Sequence, residues 1–320
     1  MSNKFPIFEV PSNAAEAEEA MGTKPKFWFR HPTLGKCLFK QARQGTGEDW
    51  SEKMAAELAH QLCLPHAREE LAIWNDHPGT ISPAMLSNQS SLTHGNDILA
   101  RMVSSYPRDK AYKVSEHTLD IVLRAVSNPS IHLPSDWHPP NGIMTAADTF
   151  VGYLLLDAWI GNGDRHHENW GFIETINQPV CLSPTYDHAS SLGRELADSK
   201  RKDKIRQSIL AERLPESRQT SRIRVHSVEG YTDRASSAFY ASATDKKPLL
   251  TMEAFSQAAS RYPNAASVWL KILSDIASAD IRDLLFRIPN HRMSSAALEF
   301  AHQMLMINQS KLLRLQKTLL

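Results

Sequence analysis

The chain has 320 residues, 42% of them hydrophobic, with 36 basic against 35 acidic side chains. That length and apolar content suffice for one large two-lobed core and exclude global disorder. The balanced charge excludes bulk electrostatic attraction to nucleic acid, and no direct nucleic-acid binding is expected.

The opening M-S-N-K-F-P-I-F-E-V has no signal-peptide apolar region. Cys37, Cys63 and Cys181 are odd in number and widely spaced, so they read as reduced thiols of a cytoplasmic protein. Residues 1–25 read as a lead-in, with an Ala/Glu-rich piece at 14–21 that suggests a short helix. Residues 26–29 and 36–41 alternate as strands around H-P-T-L-G, a hairpin. From Glu48 the period becomes helical: Trp50, Met54, Leu58 and Leu62 share a stripe, and acids crowd the first turn. Leu64-Pro65 ends that helix. A strand follows at 70–74, and G-T-I-S-P-A-M-L is the last extended piece before a mainly helical half. Residues 96–126 recur at helical spacing. Thr145 and Asp148 form a capping-box pattern, Ala147, Phe150, Val151, Leu154 and Ala158 make one apolar face, and Gly161 stops the helix. The apolar run 150–160 is about half a membrane span and contains Asp157, so no membrane insertion is expected. Asp157 and Trp159 read as packing residues. A hairpin around I-N-Q-P spans 170–183, and helices are expected at 252–262, 266–285 and 294–320. The division is 1–25 lead-in, 26–90 small β-rich lobe, 91–320 helical lobe: an α+β, bilobal architecture.

The stretch G-N-G-D-R-H-H-E-N-W-G, residues 161–171, gathers an acid, two imidazoles and an amide just after the buried helix. Asp164 precedes Asn169 by the separation found in the protein-kinase catalytic loop, where the acid takes the attacking hydroxyl's proton and the amide oxygen holds magnesium. P-T-Y-D-H-A-S-S-L-G then supplies Asp187 after the hairpin, where a kinase needs its metal acid. Lys40, at the end of K-C-L-F-K, is the candidate phosphate lysine, with Lys36 its rival. Glu52 is the candidate helix acid to align it, with Glu57 the alternative on another face.

Together these stretches resemble the HipA-like serine/threonine kinases, toxin kinases of bacterial toxin–antitoxin modules and their relatives. The family loop N-x-D-x-H-x-x-N falls on Asn162, Asp164, His166 and Asn169, and its Y-D on Tyr186-Asp187. The likeness spans about residues 25–310. It implies a protein-kinase-like fold and ATP- and Mg2+-dependent transfer of the γ-phosphoryl group to a protein hydroxyl. Asp164 would be the catalytic base and His166 would contact the transferring phosphate. Asn169 and Asp187 would bind the metal, and Lys40 and Glu52 would serve the nucleotide. Implied partners are a protein substrate, such as a translation factor or aminoacyl-tRNA synthetase, and a helix-turn-helix antitoxin. The chain departs from the family in three ways. It is short for the extra N-terminal subdomain, it lacks a clear G-x-G-x-x-G loop, and no serine lies between Lys24 and Lys40.

Phosphatidylinositol 3-/4-kinases share G-D-R-H-x-x-N, which keeps a lipid kinase as an alternative. A zinc hydrolase using His166, His167, Glu168 and His188 is another, although H-E-x-x-H spacing is absent. A catalytically inactive kinase-fold module is a third. His167 should point away from His166. The basic run at 199–206 is either a substrate dock or a solvated helix face. F-W-F at 27–29 reads as strand core, and the adenine pocket is placed near 81–86.

Overall fold

The computed structural model describes residues 3–18, 25–87, 89–213 and 221–319. The first part contains β1 (Ile7–Val10), β2 (Ala17–Glu18), β3 (Lys26–His31), β4 (Gly35–Gln41), α1 (Glu48–Gln61), β5 (Glu70–Trp74) and β6 (His77–Pro83). Its strands form one sheet in the order β1-β5-β6-β4-β3-β2. The β3–β4 hairpin forms as expected, and Gly35 turns it at φ 73°. Strand alternation sends Phe27, Phe29, Cys37 and Phe39 into a small core with Val10, Ala72 and Ile81.

Two expectations for the lead-in are corrected. Ala17–Glu18 is extended, not helical, and pairs antiparallel with β3; the rest of that piece, residues 19–21, lies outside the described residues. A helix that short is marginal in water, whereas an edge strand gains ladder hydrogen bonds at once. Ile7–Val10 joins the sheet parallel to β5, with Val10 buried.

Helix α1 buries the expected Trp50, Met54 and Leu58. It also buries its first-turn acids, because each meets a distant cation. Glu48 Oε1 takes Arg194 Nη1 at 2.6 Å, and Asp49 Oδ2 takes Arg292 Nη1 at 2.9 Å.

The second part begins with β7 (Ser90–His94), α2 (Gly95–Met102), α3 (Leu119–Val126), β8 (Ile131–His132), α4 (Ala146–Ile160), β9 (Gly171–Thr175) and β10 (Val180–Leu182). It ends with α5 (Asp198–Arg213), α6 (Ser221–His226), α7 (Val228–Thr232), α8 (Thr251–Arg261), α9 (Pro263–Asp275), α10 (Ser278–Arg287) and α11 (Ser295–Leu319). A second sheet runs β7-β9-β10-β8. Strand β7 was not anticipated, since S-S-L-T-H carries little apolar alternation and its partner β9 is remote in sequence. The single helix expected over 266–285 is two. Ile276 is extended, and Asp280 Oδ2 accepts the Ala277 N–H at 3.3 Å, starting α10 afresh.

Helix α4 is the axis of the large lobe. Asp148 N–H donates to Thr145 Oγ1 at 3.1 Å and Thr145 N–H to Asp148 Oδ2 at 2.9 Å, closing the capping box. The expectation of one apolar face is corrected: α4 is buried on all sides, between α1, α8, α9 and α11. Gly161 ends it at φ 64°, where a side chain would be strained and a Cβ would lie 2.3 Å from Met304 Cε.

Candidate active site

The loop after Gly161 hangs from Asp157. Arg165, 1% exposed, grips that carboxylate with Nε and with Nη2 at 2.7 Å, and its Nη1 donates to Asn169 O at 3.2 Å. Asn162 Nδ2 donates to Asp157 Oδ1 at 2.8 Å, while Asn162 Oδ1 accepts the Asp164 N–H at 3.1 Å. Asp157 is therefore the anchor of the loop and not the packing residue expected. Trp159 does pack, fully buried, with its Nε1–H on Leu305 O at 3.2 Å.

That scaffold presents Asp164 outward. Its Oδ2 accepts from Ser190 Oγ at 3.3 Å, and its backbone carbonyl takes Asn169 Nδ2 at 2.7 Å. The latter bond spends the amide nitrogen of Asn169 inside the loop, so its oxygen is the atom suited to a cation. Burial pushes the Asp164 carboxyl up, with His166 opposing. His166 Nδ1 accepts the Glu168 N–H at 3.2 Å, which puts the neutral ring's proton on Nε2, 3.9 Å from Asp164 Oδ1.

His167 turns away, as expected. It is buried, its Nδ1 is 2.8 Å from Tyr106 Oη, and burial lowers it to about 4. Beneath it, Trp170 Nε1–H donates to His117 Nε2 at 3.1 Å, so His117 carries its proton on Nδ1, facing Ala238 O at 3.0 Å. Burial lowers His117 to about 3.

Asp187 adopts φ 58° on a segment clamped to α1. Glu52 Oε1 accepts the His188 N–H at 2.8 Å, and Ser51 Oγ donates to Ser191 O at 3.0 Å. Thr185 Oγ1 lies 2.7 Å from His188 Nε2, and Tyr186 Oη donates to Glu168 O at 2.9 Å, tying this segment to the Asp164 loop.

Lys40 reaches the same place from β4. Its Nζ is 3.7 Å from Oε1 of Glu69, a residue the sequence reading missed; no local motif marks it. Burial works against the Lys40 charge, but Asp187, Glu69 and Glu52 outweigh it and hold the ammonium well above the ordinary lysine range. Burial also opposes the Glu52 charge, yet Lys40 and the His188 side chain bring it below the usual carboxylate range. Glu69 is pushed up to about 7 by burial, against the pull of Lys40. Glu57 turns elsewhere, to Lys53 Nζ at 2.6 Å.

A cavity of about 550 Å³ brings these groups together. Lys40, Asp164, His166, Asn169 and Asp187 all line it. Glu52 sits behind, in a small crevice shared with Lys40 and Asp187. The rival Lys36 also lines the cavity, with its Nζ 4.6 Å from the Trp28 ring centroid. Residues 82–87 supply another wall of the cavity, whereas Ile81, expected with them, is buried in the sheet core. H-P-T-L-G does not line the cavity; it only turns the β3–β4 hairpin.

Among the described residues no group of three or more His, Cys, Asp or Glu could hold a metal. The histidines of the zinc alternative diverge instead. The oxygens of Asn169 and Asp187 suit a hard divalent cation that takes its remaining ligands from phosphates and water. The basic run at 199–206 lies in α5. Arg201 there is structural, with Nη1 on Asp198 at 2.8 Å and Nη2 on Gly193 O at 3.1 Å, while Lys200, Lys202 and Arg206 are exposed. Among the described residues no helix is long and apolar enough to cross a membrane.

No protein-family model matches the sequence, and no curated protein matches it. Among solved structures, the chain is similar to CtkA, a proinflammatory kinase of Helicobacter pylori, with 17% identity, a TM-score of 0.69 and 98% of each chain covered. The fold is kinase-like. A HipA protein of Shewanella oneidensis MR-1, solved with HipB and operator DNA, aligns over 94% of this chain and 66% of its own. That alignment has a TM-score of 0.48 at 10% identity. In a kinase-like fold the strand lysine, the helix after it and the acid after a hairpin meet between the lobes. Here β4, α1 and residues 185–191 meet in that way.

Proposed function

We propose that the chain is an ATP- and Mg2+-dependent protein kinase that phosphorylates serine or threonine hydroxyls, with its lobes divided near residue 90. One observation carries this reading. Lys40, the loop carrying Asp164, His166 and Asn169, and Asp187 come from three separate segments and line one cavity. Asp164 holds the attacking hydroxyl and accepts its proton, and the upward push of burial on its carboxyl makes it a better base. His166 presents Nε2–H to the phosphoryl group in flight, and Lys40 faces the phosphates. A divalent cation held by Asn169 and Asp187 would neutralise phosphate charge. The likeness to HipA-like kinases extends the proposal to a translation component as substrate and a helix-turn-helix antitoxin as regulator, in the cytoplasm.

The test is incubation of the purified protein with γ-labelled ATP, Mg2+ and a cell extract, followed by phosphoamino-acid analysis. Labelled phosphoserine or phosphothreonine on a protein band supports the reading. Label confined to the lipid fraction replaces it with a lipid kinase, and absence of label with intact protein contradicts it.

A further inference from the structure

The cavity wall of the small lobe carries two lysines side by side. Lys26 and Lys40 are direct partners in the β3–β4 ladder. Their side chains therefore leave the same face of the sheet, with Cβ atoms about 5 Å apart. Both line the cavity. Like charges directly opposite each other weaken an antiparallel pair. On the sheet's other side the neighbouring pair is apolar, Phe27 facing Phe39.

The surroundings of Lys40 supply a reason for the second lysine. Three carboxylates, Asp187, Glu69 and Glu52, act on its single ammonium. An incoming polyphosphate beside Lys40 alone would meet more negative than positive charge. The H-P-T-L-G turn does not line the cavity, so it offers no backbone cradle for phosphate there. Two positions along the ladder, on the same face, Trp28 opposes Leu38, and both line the same cavity. The wall thus sets Trp28 and Leu38 beside the basic pair Lys26 and Lys40, with Lys36 Nζ over the Trp28 ring. That juxtaposition of apolar surface and cations matches a nucleotide, whose base offers apolar faces and whose tail is anionic.

We propose that Lys26 is a second phosphate-binding residue, which with Lys40 clamps the polyphosphate tail of the bound nucleotide. The proposal rests on the reading of the cavity as a nucleotide site. Its test is calorimetric titration of the wild type, Lys26→Met and Lys26→Arg with MgATP and, separately, with adenosine. Loss of one charge-assisted contact should weaken MgATP binding by Lys26→Met roughly tenfold or more. Adenosine affinity should stay within about twofold, since the apolar wall is intact, and Lys26→Arg should recover most of the MgATP affinity. Lys26→Gln serves the same purpose if Lys26→Met does not fold. Unchanged MgATP affinity in a folded variant, or an equal loss for adenosine, overturns the role of Lys26 and leaves the nucleotide site standing. A wild type that binds neither ligand overturns the nucleotide reading itself, and this proposal with it.

Discussion

Asp157 is 4% exposed within α4, and Arg165 and Asn162 occupy its oxygens. Removing its charge strands a buried guanidinium. Asp157→Asn should therefore cost about 3–5 kcal/mol of stability, read as a lower urea midpoint. A change within about 0.5 kcal/mol, as for an ordinary surface site, would deny it the anchoring role. The contrast with Asp164 explains what the sequence could reveal at this scale. Asp164, Asn169 and Asp187 belong to short contiguous motifs whose spacing matches that of the proposed kinase site. Asp157 was visible only as a charge in an apolar run, because its partner becomes its neighbour only after the loop folds back. Glu69 was less visible still, since its meeting with Lys40 depends on how β4 approaches the start of β5.

At the scale of elements, α1 and the Asp187 segment behave as one piece, through Glu52 on the His188 N–H, Ser51 on Ser191 O and Glu48 on Arg194. The sequence assigned Glu52 to the lysine; the structure pairs Lys40 with Glu69 and puts Glu52 on the backbone N–H beside Asp187, where its charge still acts on the lysine. Glu52→Ala leaves a buried N–H unsatisfied and should cost about 1–3 kcal/mol. It should also weaken Mg2+-dependent nucleotide binding more than metal-free nucleotide binding. Equal weakening of both, measured by calorimetry with and without Mg2+, would confine Glu52 to the lysine. Gly161→Ala should destabilise by roughly 1 kcal/mol or more, because its left-handed turn ends α4 where the Asp164 loop begins. Long helices and capped turns such as these were legible from local periodicity. Strands β1, β2 and β7 were not, because short edge strands take their identity from distant partners.

At the scale of the whole molecule, the large lobe buries neutral histidines under the candidate active site. Ordinary imidazole titrates near pH 6.5, whereas burial lowers His167 to about 4 and His117 to about 3. Between those values the unfolded chain takes up protons that the folded chain refuses. The stability contributed by both groups is thus complete above about pH 6.5 and is lost as pH falls toward 4 and then 3. Urea midpoints should decline through that window, and His117→Phe should flatten the decline even if it lowers the midpoint at pH 7.5. An unchanged slope in the variant would place the acid sensitivity elsewhere. The bilobal α+β plan was legible from composition and period, and the kinase-like fold agrees with it. The packing of α4 on all sides was not, because burial from several directions leaves no polar stripe to read.

The most direct test separates phosphoryl transfer from nucleotide binding in a single variant. Asp164 touches neither the proposed phosphate lysine nor the metal oxygens through its own hydrogen bonds, which go to Ser190 Oγ, the Asn162 side chain and the amide of Asn169. In single-turnover transfer from γ-labelled ATP, Asp164→Ala should fall by roughly a hundredfold or more, while its Kd for MgATP by calorimetry stays within about threefold of the wild type. Transfer at the wild-type rate in Asp164→Ala would contradict the account, because the residue around which the whole site is arranged would then have no part in the chemistry.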